Sequence, residues 1–92
     1  MELSQLQAVI RATYGDRDRS RGLARTHAWF VEECGELARA LFREDAQRQR
    51  EEFADVLAWL TTLADMAGID LADAADRYRD GCPKCDQSPC VC

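Results

Sequence analysis

Trp29-Phe-Val-Glu-Glu-Cys-Gly-Glu-Leu-Ala-Arg-Ala-Leu41 and, a short way on, Glu51-Glu-Phe-Ala-Asp-Val-Leu57 decide how this chain folds. In the first stretch Phe30, Cys34, Leu37 and Leu41 follow one another at intervals of 4, 3 and 4 residues, the spacing of one helical face. In the second, Phe53, Val56, Leu57, Leu60, Ala64 and Ala67 make the same kind of stripe. The pattern predicts a helix from about Leu23 to Arg43 and another from about Ala46 to Ala67. Asp45 is placed to cap the start of the second and Gly68 to end it.

Acidic residues flank both stripes. With about 100° of turn per residue, Glu33 and Glu36 lie roughly 70° and 130° from the middle of the first stripe. Glu52 and Asp55 lie roughly 80° and 140° from the middle of the second, on the same rotational side. The connection between the helices is short, so the two should be antiparallel neighbours. The twofold relation of such a pair keeps equal rotational offsets on one side, so all four carboxylates emerge on one face. Glu33 and Asp55 are equidistant from position 44, as are Glu36 and Glu52, so a turn near Glu44 sets the pairs level. Four carboxylates this close raise one another's pKa and weaken the fold unless a cation sits among them. Hard oxygen donors without histidine or cysteine suit Mg²⁺, with Mn²⁺ as a substitute. Isolated Glu-x-x-Glu pairs are usually solvated surface acids; two pairs matched in side and height favour a metal face.

Outward from this centre, Leu6, Val9, Ile10 and Thr13 predict a first helix over 3–14, with Ser4 as N-cap and Gly15 as its end. The run Asp16-Arg-Asp-Arg-Ser-Arg-Gly22 then reads as a charged loop, either a solvated linker or an arginine-bearing segment (Arg17, Arg19, Arg21) that touches phosphates. Asp70 caps a short fourth helix from Leu71 to about Asp80, stopped at Gly81. No stretch alternates long enough to be a strand, and no repeat is present. The expected fold is all-α, an antiparallel bundle of about four helices over 1–81, followed by a cysteine-rich tail over 82–92.

The chain has 92 residues, a net charge of −5 and a pI near 4.7. A domain this small buries only roughly two-thirds of its unfolded surface, so completion by oligomerisation or a metal staple is expected. The acidic balance argues against direct nucleic-acid binding. No apolar run approaches the roughly 20 residues of a membrane span, and the first residues do not read as a signal peptide. A cytoplasmic protein without membrane contact is the expectation.

Of five cysteines, Cys34 sits in the stripe of its helix and is expected to be buried and inert. Cys82, Cys85, Cys90 and Cys92 have the spacing Cys-x₂-Cys-x₄-Cys-x-Cys, two close pairs able to wrap one tetrahedral ion. Structural Zn²⁺ is the leading reading, with disulfides or a disordered redox-sensitive tail as alternatives. His27, the sole histidine, has no partner at ligand spacing and reads as structural. Trp29 and Trp59 project near the acidic face, where either can stack on a base, although packing is the commoner use of such an aromatic.

Together, Glu32, Glu33 and Glu36 followed by Glu52 and Asp55 resemble the signature of the MazG family, Glu-Glu-x-x-Glu on one helix and Glu-x-x-Asp on the next. Leu63-Ala-Asp-Met-Ala-Gly-Ile-Asp-Leu71 is similar to the segment that follows in that family, and the likeness spans roughly residues 3–81. The resemblance implies the all-α nucleoside triphosphate pyrophosphatase fold, cleavage of an NTP or dNTP between its α- and β-phosphates to the monophosphate and pyrophosphate, and a homodimer or homotetramer. It implies that Glu33, Glu36, Glu52 and Asp55 bind Mg²⁺. Glu32 belongs to the signature without a fixed role, either positioning or deprotonating water or lying solvated. Members often carry a lysine-tyrosine pair after the last helix. Arg77-Tyr78 stands there, able to meet phosphate with a different geometry.

A non-enzymatic alternative keeps the same residues: a helical dimer whose acids hold a structural cation and whose cysteine tail docks on a protein partner. A carboxylate-bridged di-iron bundle is disfavoured because neither helix carries Glu-x-x-His.

Overall fold

Two helices of equal length carry the molecule. In the computed structural model, which describes residues 1–92, α2 spans Leu23–Arg43 and α3 spans Ala46–Met66. Only Glu44 and Asp45 separate them, so they fold back as an antiparallel pair and share the most extensive packing in the chain. The reversal is held by side chains as well as by its shortness. Asp45 accepts a hydrogen bond from the Arg48 N–H at 3.0 Å, satisfying a donor that the first helical turn leaves free. The Gln49 amide reaches back to the carbonyl oxygens of Ala40 and Glu44 at 3.2 and 3.1 Å.

Helix α1 spans Leu3–Arg21, seven residues beyond the predicted end at Tyr14, and so corrects the reading of 16–22 as a loop. Gly15 does not break the helix. It is buried within it, with the Arg11 and Arg19 side chains beside it. Beyond it, ion pairs one turn apart join Asp16 to Arg19 at 2.8 Å and Asp18 to Arg21 at 2.9 Å, favouring continued helix. The stop is Gly22, whose φ of +88° and ψ of 163° lie in a region open essentially to glycine alone. The N-cap also differs: Glu2 holds that place, and the Gln5 side chain accepts from its N–H at 2.7 Å.

At its far end α3 closes in a Schellman turn. Gly68, at φ +73°, follows Ala67, and the Ile69 N–H donates to the Ala64 carbonyl at 2.8 Å. The short helix α4, Leu71–Ala75, begins at Asp70, whose side chain accepts from the N–H groups of Ala72 and Asp73. It is shorter than predicted, tightening into a 3₁₀ turn over Asp76–Tyr78. Buried Gln7 docks it on α1: its amide donates to the Ile69 carbonyl at 2.7 Å and accepts from the Leu71 N–H at 3.0 Å. Arg11 adds an ion pair to Asp65, with Nε 2.7 Å from Oδ1. The fold is therefore all-helical without strands.

The interior is not the apolar stripes. Ile10 and Ala40 are the only buried apolar residues, and Thr26 and Thr61 are the largest fully buried side chains. Each threonine hydroxyl donates to the carbonyl four residues earlier in the chain, at 2.8 and 2.7 Å, so neither is left unpaired. Phe53, Leu57 and Leu60 of the α3 stripe are 54%, 40% and 42% exposed, and Leu41 on α2 is also exposed. The radius of gyration, 15.3 Å, exceeds the roughly 12 Å expected of a compact domain of this length. The chain is an extended hairpin of helices with its greasy faces uncovered. No helix is long and apolar enough to cross a membrane.

Candidate functional site

Helical periodicity places Glu33 and Glu36 on one edge of α2, and the antiparallel return brings Glu52 of α3 opposite them. One carboxylate oxygen from each of the three lies within 4.8 Å of the others. Oxygens on opposite vertices of a Mg²⁺ octahedron stand about 4.2 Å apart, so small side-chain adjustments would let the three meet one ion. Asp55 is not inside this tight group, but it is close enough to act on the charge of Glu33. One helical turn beyond Glu52, it is exposed and lines the neighbouring cavity. Glu32 is exposed on α2 outside the group.

The electrostatics of the group are unfavourable without a cation. Burial is the first cause that pushes the Glu33 carboxyl up to about 7, followed by repulsion from Glu36 and Asp55, contact with the Glu36 carboxyl and the charge of Glu52. Glu52, only 2% exposed, is also raised, again first by burial, with Arg48 opposing and Glu36, Asp55 and Glu44 adding to the rise. Two buried side-chain oxygens in the molecule have no hydrogen-bond partner: Glu33 Oε2 and Glu52 Oε2. A buried, unpaired carboxylate oxygen is costly. That the only two belong to this one group is what a cation site requires, and the all-oxygen donor set fits a hard divalent ion.

Arg48 escaped the sequence reading. Its guanidinium lies 2.6 Å from Glu52 Oε1, 2.7 Å from Glu51 and 3.5 Å from Glu44. It therefore occupies one oxygen of Glu52 and leaves the other free toward Glu33 and Glu36. The i,i+4 spacing of Arg48 and Glu52 was the available signal. Glu51, held by Gln47 and Arg48 and lowered in pKa by them, is not a member of the group.

Beside the carboxylates opens a cavity of about 270 Å³, lined by Tyr14, Arg17, Asp18, Arg21, Asp55 and Trp59 among others. One wall includes Arg17, Asp18 and Arg21, from the part of α1 that the sequence suggested was loop, and α3 supplies the other. Asp18 is buried, accepting from Thr62 Oγ1 at 3.1 Å and pairing with Arg21. The Arg21 guanidinium lies 4.9 Å above the Trp59 ring, and Trp59 stacks on Trp29 with centroids 6.5 Å apart. The two tryptophans thus form one aromatic wall. Arg17 and Arg21 face the cavity, whereas Arg19 is paired with Asp16 on α1.

Arg77 and Tyr78 are not brought to the carboxylates within one chain. They lie on the 3₁₀ turn that continues α4, which packs against α1, and Tyr78 is largely exposed. His27 is exposed on α2 and lies in neither ligand group, and Cys34 is only partly buried, with a free thiol. The four remaining cysteines form a second cluster in the tail, their Sγ atoms all within 4.8 Å of one another.

Comparison with known families places this geometry in context. A family model described as the MazG nucleotide pyrophosphohydrolase domain matches residues 21–85, the stretch that contains α2, α3 and α4. None of the curated proteins matches the chain.

Proposed function

The chain belongs to the MazG nucleotide pyrophosphohydrolase family, and from that premise we propose that it hydrolyses a nucleoside or deoxynucleoside triphosphate to the monophosphate and pyrophosphate with Mg²⁺. The observation that carries the reading is the pair of buried, unpartnered oxygens, Glu33 Oε2 and Glu52 Oε2, inside the carboxylate group. Glu33, Glu36 and Glu52 would hold the ion, with Asp55 joining from the cavity side through substrate or solvent. Mn²⁺ meets the same ligand requirement. Bound there, the divalent cation neutralises phosphate oxygens and makes the phosphorus more open to attack.

The chain's own residues supply the rest. Arg48 fixes the Glu52 carboxylate through one oxygen, so that the other keeps a constant direction. Arg17 and Arg21 line the cavity beside Asp55 and offer guanidinium groups to phosphate oxygens, Arg17 more freely because Arg21 is paired with Asp18. The Trp29–Trp59 wall offers a face for a base. Arg77 and Tyr78, distant within one chain, reach the phosphates only if a second chain brings them. The uncovered stripes of α2 and α3 support such a homodimer, or a pair of dimers. A cytoplasmic setting agrees with five free thiols.

Purified protein with Mg²⁺ and a panel of common and modified nucleotides is expected to release pyrophosphate. No release with any of them, or full activity in the Glu36→Ala/Glu52→Ala double variant, would overturn the reading in favour of a helical module that holds a structural cation and a partner. Glu32→Gln separates two roles: a lower kcat with unchanged metal affinity marks a water-positioning acid, and no change marks a solvated one.

A further inference from the structure

We propose that Cys82, Cys85, Cys90 and Cys92 form a closed tetrathiolate site for Zn²⁺ and that this ion gives residues 82–92 their shape. The sulfur geometry is the first argument. With Zn–S bonds of about 2.3 Å, sulfurs at the corners of a tetrahedron stand about 3.8 Å apart. Cys82 and Cys92 Sγ are 3.8 Å apart, Cys85 and Cys90 Sγ are 4.0 Å apart, and all four fall within 4.8 Å of one another. All are free thiols.

The backbone is arranged around those sulfurs. The Lys84 N–H donates to Cys82 Sγ and the Cys92 N–H to Cys90 Sγ, both at 3.4 Å. Donors aimed at sulfur favour the thiolate form that binds metal. The chain loops back on itself to make this possible: the Asp86 N–H donates to the Cys82 carbonyl at 2.7 Å, and the Cys82 N–H donates to the Gln87 carbonyl at 3.0 Å. Gly81 permits the crossing. At φ +104°, a Cβ there would lie 2.7 Å from the Gln87 carbonyl oxygen.

What the segment lacks is equally informative. It contains no helix or strand, Val91 is largely exposed, and every hydrogen bond that residues 82–92 make is internal to them. Eleven residues without an apolar core do not hold four sulfurs together unaided. Soft thiolates select a soft or borderline ion, so this cluster and the hard oxygens of Glu33, Glu36 and Glu52 would sort different metals. Zn²⁺ imposes no d-electron geometry and therefore accepts the unequal spans of Cys-x₂-Cys and Cys-x-Cys. Four thiolates fill its coordination shell, which makes the site structural and separates it from the hydrolytic chemistry.

Co²⁺ titration of the reduced full-length chain tests the proposal without any activity assay. The expected result is thiolate-to-cobalt charge transfer with intense tetrahedral bands that saturate at a single equivalent and vanish when Zn²⁺ is added. Thiol modification of the tail should slow by at least about tenfold when Zn²⁺ is present. The Cys85→Ser/Cys90→Ser variant should lose both signals while keeping its far-ultraviolet helical spectrum. Glu36→Gln/Glu52→Gln should keep both, which separates this site from the carboxylate group. Absence of the bands in the folded, reduced wild-type chain, their persistence in the cysteine double variant, or equal thiol reactivity with and without Zn²⁺ would each overturn it.

Discussion

Glu33 is the residue on which the site is most exposed to measurement. A carboxyl whose folded pKa lies above its ordinary 4.5, here about 7, holds its proton more tightly in the folded chain than in the unfolded one. It therefore imposes no penalty below pH 4.5, and stability is lost as pH rises from there through about 7. Without divalent ions, the thermal midpoint should fall across that window. With saturating Mg²⁺ the fall should shrink, since the ion binds the ionised form. A Glu33→Gln variant should reduce the slope, leaving the part that the raised Glu52 carboxyl contributes; an unchanged slope would show that Glu33 does not cause it. Glu52→Gln should cut pyrophosphate release by at least about 10²-fold at fixed Mg²⁺, measured at steady state. Arg48→Ala should lower the metal-free thermal midpoint, with Mg²⁺ restoring most of the difference, because the buried Glu52 charge then depends on the ion alone. The identity and face of these acids were legible in sequence, since both follow from helical period. Arg48 was overlooked beside them, and the placement of Asp55 outside the tight trio depends on how α3 sits against α2.

At the scale of elements, two glycines make opposite predictions. Gly22 joins α1 to α2 in a backbone region hostile to side chains, with nothing within 4 Å of where a Cβ would stand. Gly22→Ala therefore meets no clash and should cost about 1–3 kcal/mol from backbone strain alone, read by urea unfolding. Gly35 lies inside α2 in helical geometry, also with open space around its Cβ position. Gly35→Ala should stabilise a single chain by up to about 1 kcal/mol. If the variant instead weakens association, a second chain approaches α2 there. The limits of α2 and the start of α3 followed from apolar spacing and capping residues, which act within a few positions of one another. The continuation of α1 through Gly15 did not. That glycine is held in the helix by packing and by the Asp18–Thr62 contact to α3, 44 residues away in sequence.

Over the whole molecule, the apolar stripes of α2 and α3 remain largely uncovered in one chain, while threonines and Gln7 fill much of its interior. Exposed apolar area of this kind favours association. Light scattering should give a mass of a dimer or larger, and Leu57→Asp should shift it toward the monomer with loss of activity. A wild-type chain that is monomeric at concentrations where it is active would sink this expectation and, with it, any role for Arg77 and Tyr78 supplied by a second chain.

The carboxylate face with which the sequence begins its case marks the division between the two levels. The positions of α2 and α3, the Asp45 and Asp70 caps, the antiparallel return and the shared side of Glu33, Glu36 and Glu52 are consequences of local periodicity and a two-residue connection, so the sequence alone determined them. Tertiary packing decided which oxygens are buried without partners, that Arg48 holds one side of Glu52, and that Arg21, Trp59 and Trp29 stack into a wall beside Asp55. Those features require residues from α1, α2 and α3 to meet in space. No periodicity within a single helix encodes that meeting, because the distances between helices are set by the side chains that pack between them.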